Sequence, residues 1–353
     1  MDLSKKSIQI IKANQQESGS YIASPDFESY RFCWLRDGTF TAYAMDVAGE
    51  NKSAEMYYRW VNGVIKRYSY KIEDILKKLN KNENIKPNDF LYTRYTLEGY
   101  ESEHKWANFQ LDGYGIWLWG LAQHIKFTGN KNLLIEFKES INNIKKYLSL
   151  LWNHNNYDCW EENIDKVHVS TLACIYSGIK EISQFYPNIE LSQLTNKIKE
   201  FVLNRGVVNN HFVKYIGTNG VDASLLWLSI PFRLVEPNEK VMLNTVDIIE
   251  KDLVKNGVYR YKNDTYYGGG EWILLTAWLG WYYTEISQKS RAYNLLKWIE
   301  SKSGKGGNLP EQISENMLHP EFYNKWVRKK GKPAKTLLWS HAMYIILKKA
   351  LMK

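Results

Sequence analysis

Little in this sequence points to metal, redox or nucleotide chemistry. There are three cysteines, Cys33, Cys159 and Cys174, an odd number without CxxC spacing. Each sits among apolar or aromatic neighbours, so buried free thiols are expected rather than a disulfide framework or a metal site. The seven histidines do not group at metal-ligand spacing. HExxH, GxSxG, the P-loop and a dinucleotide-binding GxGxxG after a strand are all missing. The first residues, MDLSKKSIQIIKANQQ, lack the apolar centre of a secretory signal, and no apolar run approaches the roughly 18 residues of a membrane span. A soluble, cytoplasmic protein with no membrane partner is therefore expected. No Pro-, Ser- or Gly-rich stretch divides the chain, which reads as a single domain over 1–353.

Arginine is scarce too. The formal charge of +9 comes from lysine, with ten arginines among 47 basic residues. The lysines are spread along amphipathic segments with interleaved glutamates, the pattern of a solvated face rather than a nucleic-acid track. The densest basic run, VRKKGKPAK around Arg328–Lys335, reads as a flexible surface loop. No nucleic-acid partner is expected.

Aromatic residues are abundant, with 14 Trp and 25 Tyr. Each offers a flat apolar face and a polar edge, which is what a sugar ring requires of its site. A large aromatic core accounts for many of them, but not for those in polar loops.

Periodicity is almost wholly helical. Twelve spans are expected: 4–16, 37–49, 51–68, 109–127, 131–152, 167–185, 190–204, 221–229, 238–253, 271–287, 289–302 and 336–351. Odd-numbered spans are amphipathic and lysine-rich, whereas even-numbered ones, such as YGIWLWGLAQHI and EWILLTAWLGWYY, are apolar nearly all round. A helix apolar on every side must be enclosed by protein, and one with a single apolar stripe covers a core. Strict alternation of six inner and six outer helices describes an all-α (α/α)6 barrel. No repeat of fixed period supports the rival, a superhelical stack of helical hairpins.

If inner and outer helices run antiparallel, all six segments that enter inner helices converge at one end. They read FCWLRDGTF (32–40), HKWANFQLDGYG (104–115), YDCWEENIDK (157–166), TNGVDASLLW (218–227), VYRYKNDTYYGGGEW (258–272) and GNLPEQISE (307–315). Opposite-end connections such as FTGNK are ordinary turns. Arg36 and Asp37 lie at the mouth of the second span, Asp37 as a possible N-cap or as half of a charged pair for sugar hydroxyls. Asp112 reads as a cap of the fourth span, and Trp106 as a sugar platform. His341, in apolar WSHAMY, reads as a core histidine.

Cleavage of a glycosidic bond requires one protonated carboxyl and one ionised carboxylate. Glu161 and Glu311 enter the sixth and twelfth spans, on opposite sides of the expected cavity. Either one alone reads equally well as a favourable charge near a helix N-terminus. Facing one another, they suit an inverting hydrolysis. Asp158 and Glu162, like charges beside Glu161, would raise the proton affinity of one member of that group.

Taken together, the six segments resemble glycoside hydrolase family 15, the glucoamylases. CWLRDGTFTAYAMDVAGE and NFQLDGYG resemble its first two signatures, CWEE its general-acid segment and DASLLWL the next helix entry. RYKNDTYYGGGEW resembles the arginine-tyrosine loop, LPEQ the general-base segment and LLWSHA the last inner helix. The resemblance implies Glu161 as general acid and Glu311 as general base, with Arg36, Asp37 and Arg260 binding the terminal glucose. It implies that Trp106, Trp160, Glu162 and Trp339 shape the pocket, that β-glucose is released from an α-glucoside, and that no metal or organic cofactor takes part. No counterpart of the N-terminal β-sandwich of many prokaryotic members, or of the starch-binding module of fungal ones, is expected here. Segments 69–105 and 316–335 depart from the family pattern and stand where they can set the leaving-group subsite. A short malto- or isomalto-oligosaccharide is the expected substrate, with trehalose or an α-1,6-specific activity as alternatives, and a non-catalytic carbohydrate-binding barrel as the alternative of another class.

Overall fold

The computed structural model describes residues 2–353. Fourteen α-helices follow one another along these residues: α1 (Leu3–Ala13), α2 (Leu35–Ala48), α3 (Asn51–Tyr68), α4 (Tyr70–Asn80), α5 (Asp112–Thr128), α6 (Asn132–Glu136), α7 (Lys138–Leu151), α8 (Val169–Ser183), α9 (Ile189–Arg205), α10 (Lys240–Leu253), α11 (Ile273–Glu285), α12 (Lys289–Ser301), α13 (Tyr323–Lys330) and α14 (Leu338–Ala350). Six inner segments close into a ring in which α2 packs on α5, α5 on α8, α8 on the 3-10 segment Ala223–Leu228, that segment on α11, α11 on α14 and α14 back on α2. Outside them, α1 lies against α14, α3 against α2, α7 against α5, α9 against α8, α10 against the 3-10 segment and α12 against α11. This is an (α/α)6 barrel, with the alternation expected from the hydrophobic pattern. Every residue of α11 from Ile273 to Tyr283 is buried, whereas outer α12 buries only Ala292, Leu296 and Ile299 on one stripe.

Glycine lets the inner ring close tightly where α5 meets α8. A Cβ on Gly178 would stand 2.2 Å from the Gly115 carbonyl oxygen, and one on Gly115 would stand 2.6 Å from the Cys174 carbonyl. Such distances are far inside contact, so only hydrogen fits at either position. The barrel axis is filled by aromatic rings. Phe40 stacks on Trp227 and on Trp339 with centroids 5.7 and 5.8 Å apart, and Trp278 lies 4.7 Å from Trp227. Their burial makes a solid floor under the end where the long segments gather.

Three expectations change. The eighth span forms a 3-10 segment, not an α-helix. Segment 69–105 holds α4, whose Ile72 and Ile75 are buried, and then a strand, Arg94–Tyr95, that pairs antiparallel with Cys33–Trp34. The basic run is not a loop throughout, because Tyr323–Lys330 is helical and only residues beyond Gly331 are irregular. A second antiparallel pair joins Glu271–Trp272 to Gln312–Ile313, pinning the segment after Glu311 to the entry of α11. Cys33, Cys159 and Cys174 are free and buried. Among the described residues no helix is long and apolar enough to cross a membrane.

Candidate active site

Five of the six entry segments line one cavity of about 380 Å³ above the aromatic floor, and the fourth, 218–227, contributes none of its wall. Glu161, Glu311, Arg36, Asp37, Trp106, Trp160, Glu162, Arg260 and Trp339 all line it. Helix geometry and antiparallel packing are enough to bring together residues as distant as Arg36 and Trp339.

Glu161 projects from a strained turn. Its φ is +68°, a left-handed conformation that costs a non-glycine residue about 1–2 kcal/mol. Hydrogen bonds over-determine that geometry. The Glu161 amide donates to the Asp158 carbonyl at 2.9 Å, and the Asp158 amide donates to the Glu162 carbonyl at 3.0 Å. The Asp158 carboxylate accepts the amides of Trp160 and Glu162, at 3.0 and 2.9 Å. On the Glu161 side chain, Oε1 accepts from Trp34 Nε1 at 2.6 Å and from Gln110 Nε2 at 3.3 Å. Asp158 is therefore not a free like charge beside Glu161, as the sequence suggested; it is the clasp of the turn.

Glu311 lies across the cavity and is 2 % exposed. Its amide donates to the Ala334 carbonyl at 3.0 Å. Oε1 accepts from the Tyr30 hydroxyl at 2.7 Å, and buried Oε2 has no protein partner. Burial pushes this carboxyl up to about 7, against the lowering effects of the Tyr30 hydrogen bond and the Arg260 charge. The Tyr30 hydroxyl is also 2.9 Å from that of Tyr266. Neither tyrosine was singled out from the sequence as a partner of Glu311, since Tyr30 belongs to no motif and reaches Glu311 across 281 residues.

Arg36 and Arg260 are each 3 % exposed and held by carboxylates. Arg36 Nη1 donates to Gln110 Oε1 at 2.7 Å and to Asp112 Oδ2 at 3.0 Å, while its Nε lies 3.3 Å from Asp37 Oδ1. Arg260 donates from Nε and Nη2 to Asp264, at 2.7 and 2.5 Å, and its Nη2 is 3.5 Å from Glu162 Oε1. Two capping expectations are thereby corrected. Asp37 lies inside the first turn of α2, whose N-cap is Trp34. Asp112 opens α5 with Leu111 as its N-cap, and its carboxylate serves Arg36 and the Gly113 amide. Burial, with Glu161 and Asp112 nearby, lifts the Asp37 carboxyl to about 7 despite the adjacent Arg36.

Tryptophan edges supply the remaining polarity. Trp160 Nε1 donates to Asp222 at 2.8 Å, which fixes its ring beside Arg260. The buried Nε1 atoms of Trp106, Trp272 and Trp339 have no protein acceptor, although all three rings line the cavity. Unpaired buried donors are costly unless a ligand satisfies them. At the rim, Trp326, Lys329 and Lys330 of α13 line the cavity, so the basic run contributes to the site's wall. His341 is a core histidine, taking the Leu309 amide at 3.1 Å and facing Ser7 at 2.9 Å, and it does not line the cavity. Among the described residues no group of three or more His, Cys, Asp or Glu is arranged to hold a metal ion.

An (α/α)6 barrel with two carboxyls facing a tryptophan-lined cavity defines the class of protein: a glycoside hydrolase. Its membership is specific, for the sequence pattern of Glycosyl hydrolases family 15 matches residues 2–348, and the chain belongs to that family. It is 37% identical to isomaltose glucohydrolase of Kribbella flavida, over 98% of this chain and 91% of that protein. It is 25% identical to Trehalase 1 of Sulfolobus acidocaldarius, over 83% of this chain and 53% of that protein. A solved structure of a glycosidase variant in complex with glucose superposes with a TM-score of 0.95 at 36% identity, covering 99% of this chain and 96% of that one.

Proposed function

We propose that the protein is an inverting, exo-acting α-glucosidase that releases β-D-glucose from the non-reducing end of isomaltose and short malto- or isomalto-oligosaccharides. The observation that carries this reading is the convergence of Glu161 and Glu311 on one cavity of about 380 Å³. That volume is near the lower end of the roughly 300–1,000 Å³ of small-molecule sites, which suits one or two sugar rings rather than a polymer. Similarity to an isomaltose glucohydrolase over nearly the full length of both chains supports the α-1,6 linkage as the first to test. The weaker similarity to a trehalase keeps trehalose as the second. Three free, buried cysteines fit a reducing, cytoplasmic setting.

In this mechanism Glu161 protonates the leaving oxygen. Trp34 and Gln110 hold its Oε1, which leaves the other oxygen to face the bond being broken. Glu311 removes a proton from the attacking water through its unpartnered Oε2, while Tyr30 holds Oε1 and stabilises the ionised form. Arg36, Asp37 and Arg260 hold the terminal glucose through its hydroxyls. Trp106, Trp160 and Trp339, with Glu162, complete the walls around the ring.

Incubation with isomaltose, maltose and trehalose, followed by NMR of the first glucose released, tests the reaction. β-Glucose is expected first. No glucose from any of the three, or α-glucose first, would overturn the proposal. Glu161→Gln and Glu311→Gln are each expected to lower kcat by at least about 10²-fold. α-Glucosyl fluoride, whose leaving group needs no proton, separates the two roles: Glu161→Gln should retain its hydrolysis and Glu311→Gln should not.

A further inference from the structure

Behind the turn that carries Glu161 lies a second cavity of about 470 Å³, and the wall between the two cavities includes Glu162. Lys214 faces this rear cavity, not the substrate cavity. Its backbone is fixed on both sides: its amide donates to the Gly220 carbonyl at 2.8 Å, and its carbonyl accepts the Val169 amide at the start of α8. The residue is 9 % exposed, and its ammonium lies 3.6 Å from the centroid of the Tyr261 ring. From there it reaches three carboxylates, at 3.2 Å to Asp222, 3.4 Å to Asp158 and 3.6 Å to Glu162.

Each of those carboxylates positions part of the acid turn. Asp158 clasps the amides of Trp160 and Glu162, the residues on either side of Glu161. Asp222 holds the Trp160 indole, and Glu162 reaches Arg260. Among the described residues, Lys214 is the one cation within ion-pair distance of Asp158 or Asp222. Asp158 Oδ2 is buried and has no hydrogen-bond partner, so the nearby ammonium is its compensation. Burial opposes the charge on Lys214, but Asp222, Asp158 and Glu162 outweigh it and hold the amine protonated above its ordinary range.

We infer that Lys214 is the positioning residue of the acid turn: from behind, it neutralises the carboxylates that fold the turn, and so fixes the direction in which Glu161 projects. The inference rests on the reading of Glu161 as proton donor. Without the ammonium, the buried carboxylates would repel one another and the charge on Glu161 beside them, and the turn would open.

The test is the pH dependence of kcat/KM on isomaltose for wild type, Lys214→Met, Lys214→Arg and Asp158→Asn. Lys214→Met is expected to lose about 10²-fold in kcat, the scale of a misplaced catalytic group. Its alkaline limb should move upward by about 0.5–1 pH unit, as loss of a nearby positive charge demands. Lys214→Arg should return the limb to its wild-type position. Asp158→Asn keeps an acceptor for the two amides but removes a negative charge, so its limb should move downward. Lys214→Met with the wild-type limb, whatever its kcat, reduces Lys214 to a packing residue and overturns the inference. If Lys214→Met does not fold, Asp158→Asn decides, and an unmoved limb overturns it. Wild-type protein inactive on isomaltose, maltose and trehalose overturns the glucosidase reading itself, a failure distinct from a limb that does not move.

Discussion

Replacing Tyr30 with phenylalanine probes the proposed base through a single hydrogen bond. In the structure Glu311 has one side-chain partner, the Tyr30 hydroxyl at 2.7 Å, and burial has already raised its carboxyl to about 7. A hydrogen bond to a charged group is worth about 1.5–3 kcal/mol. Each pKa unit corresponds to about 1.36 kcal/mol, so losing this bond should raise Glu311 by about 1–2 units. If Glu311 is the base, activity requires its ionised form, and the acidic limb of the kcat/KM profile moves upward. At pH 6, below both values, the ionised fraction and hence kcat/KM should fall about 10- to 100-fold. At pH 9 the two proteins should differ much less. Tyr266→Phe serves as a control, since its hydroxyl contacts that of Tyr30 rather than Glu311, and its limb should move by less than about half a unit. The assay is glucose release from isomaltose at low substrate concentration between pH 4.5 and 9.5. An acidic limb that stays in place after Tyr30→Phe refutes the base assignment. A shift confined to the alkaline limb exchanges the roles of the two glutamates.

Much of the barrel was legible because inner and outer helices face different surroundings. A helix such as α11, apolar in every direction, can only be interior, and that pattern survives without knowledge of any partner. Shorter or mixed segments gave weaker signals. Ala223–Leu228 spans six residues, too few for a hydrophobic pattern to separate 3.0 from 3.6 residues per turn. α13 has eight residues and three basic ones in its last turn, so its charge concealed Trp326 at the cavity rim. For the site, convergence at helix entries was readable, but pairing was not. That Asp112 serves Arg36 rather than only its own helix depends on the approach of α2 to α5, which no local pattern records. Asp158 looked like a repulsive neighbour because its amide acceptors and Lys214, 56 residues away, become visible only when the turn is folded. Tyr30 precedes the first recognisable segment and carried no signal at all.

Three further perturbations test the packing, the sugar clamp and the energetic cost of the site. Gly178→Ala would place a methyl 2.2 Å from the Gly115 carbonyl oxygen in the backbone of a neighbouring helix. A loss of about 2–4 kcal/mol is expected in urea titration, and an unchanged midpoint would refute the close helix contact. Asp264→Asn removes the charge that fixes both donating nitrogens of Arg260. If Arg260 binds glucose, KM for isomaltose should rise about 10-fold or more, and an unaltered KM would refute that role. The last test concerns Glu311 itself. Its carboxyl titrates near 7 in the fold, against 4.5 for the ordinary group. The folded state therefore binds the proton more tightly than the unfolded chain. Burial of this group is least costly below pH 4.5, and stability is lost as pH rises from there through 7. The shift corresponds to a cost of up to about 3 kcal/mol once Glu311 is ionised. Glu311→Gln removes the titration but keeps an acceptor for Tyr30. The variant should therefore be more stable than wild type at pH 8 by about 1–3 kcal/mol, with the advantage disappearing near pH 4.5. Urea unfolding at both values checks the sign. A Glu311→Gln protein that is less stable than wild type at pH 8 would mean that the buried carboxylate is paid for in place, and that Tyr30 and Arg260 more than offset its desolvation.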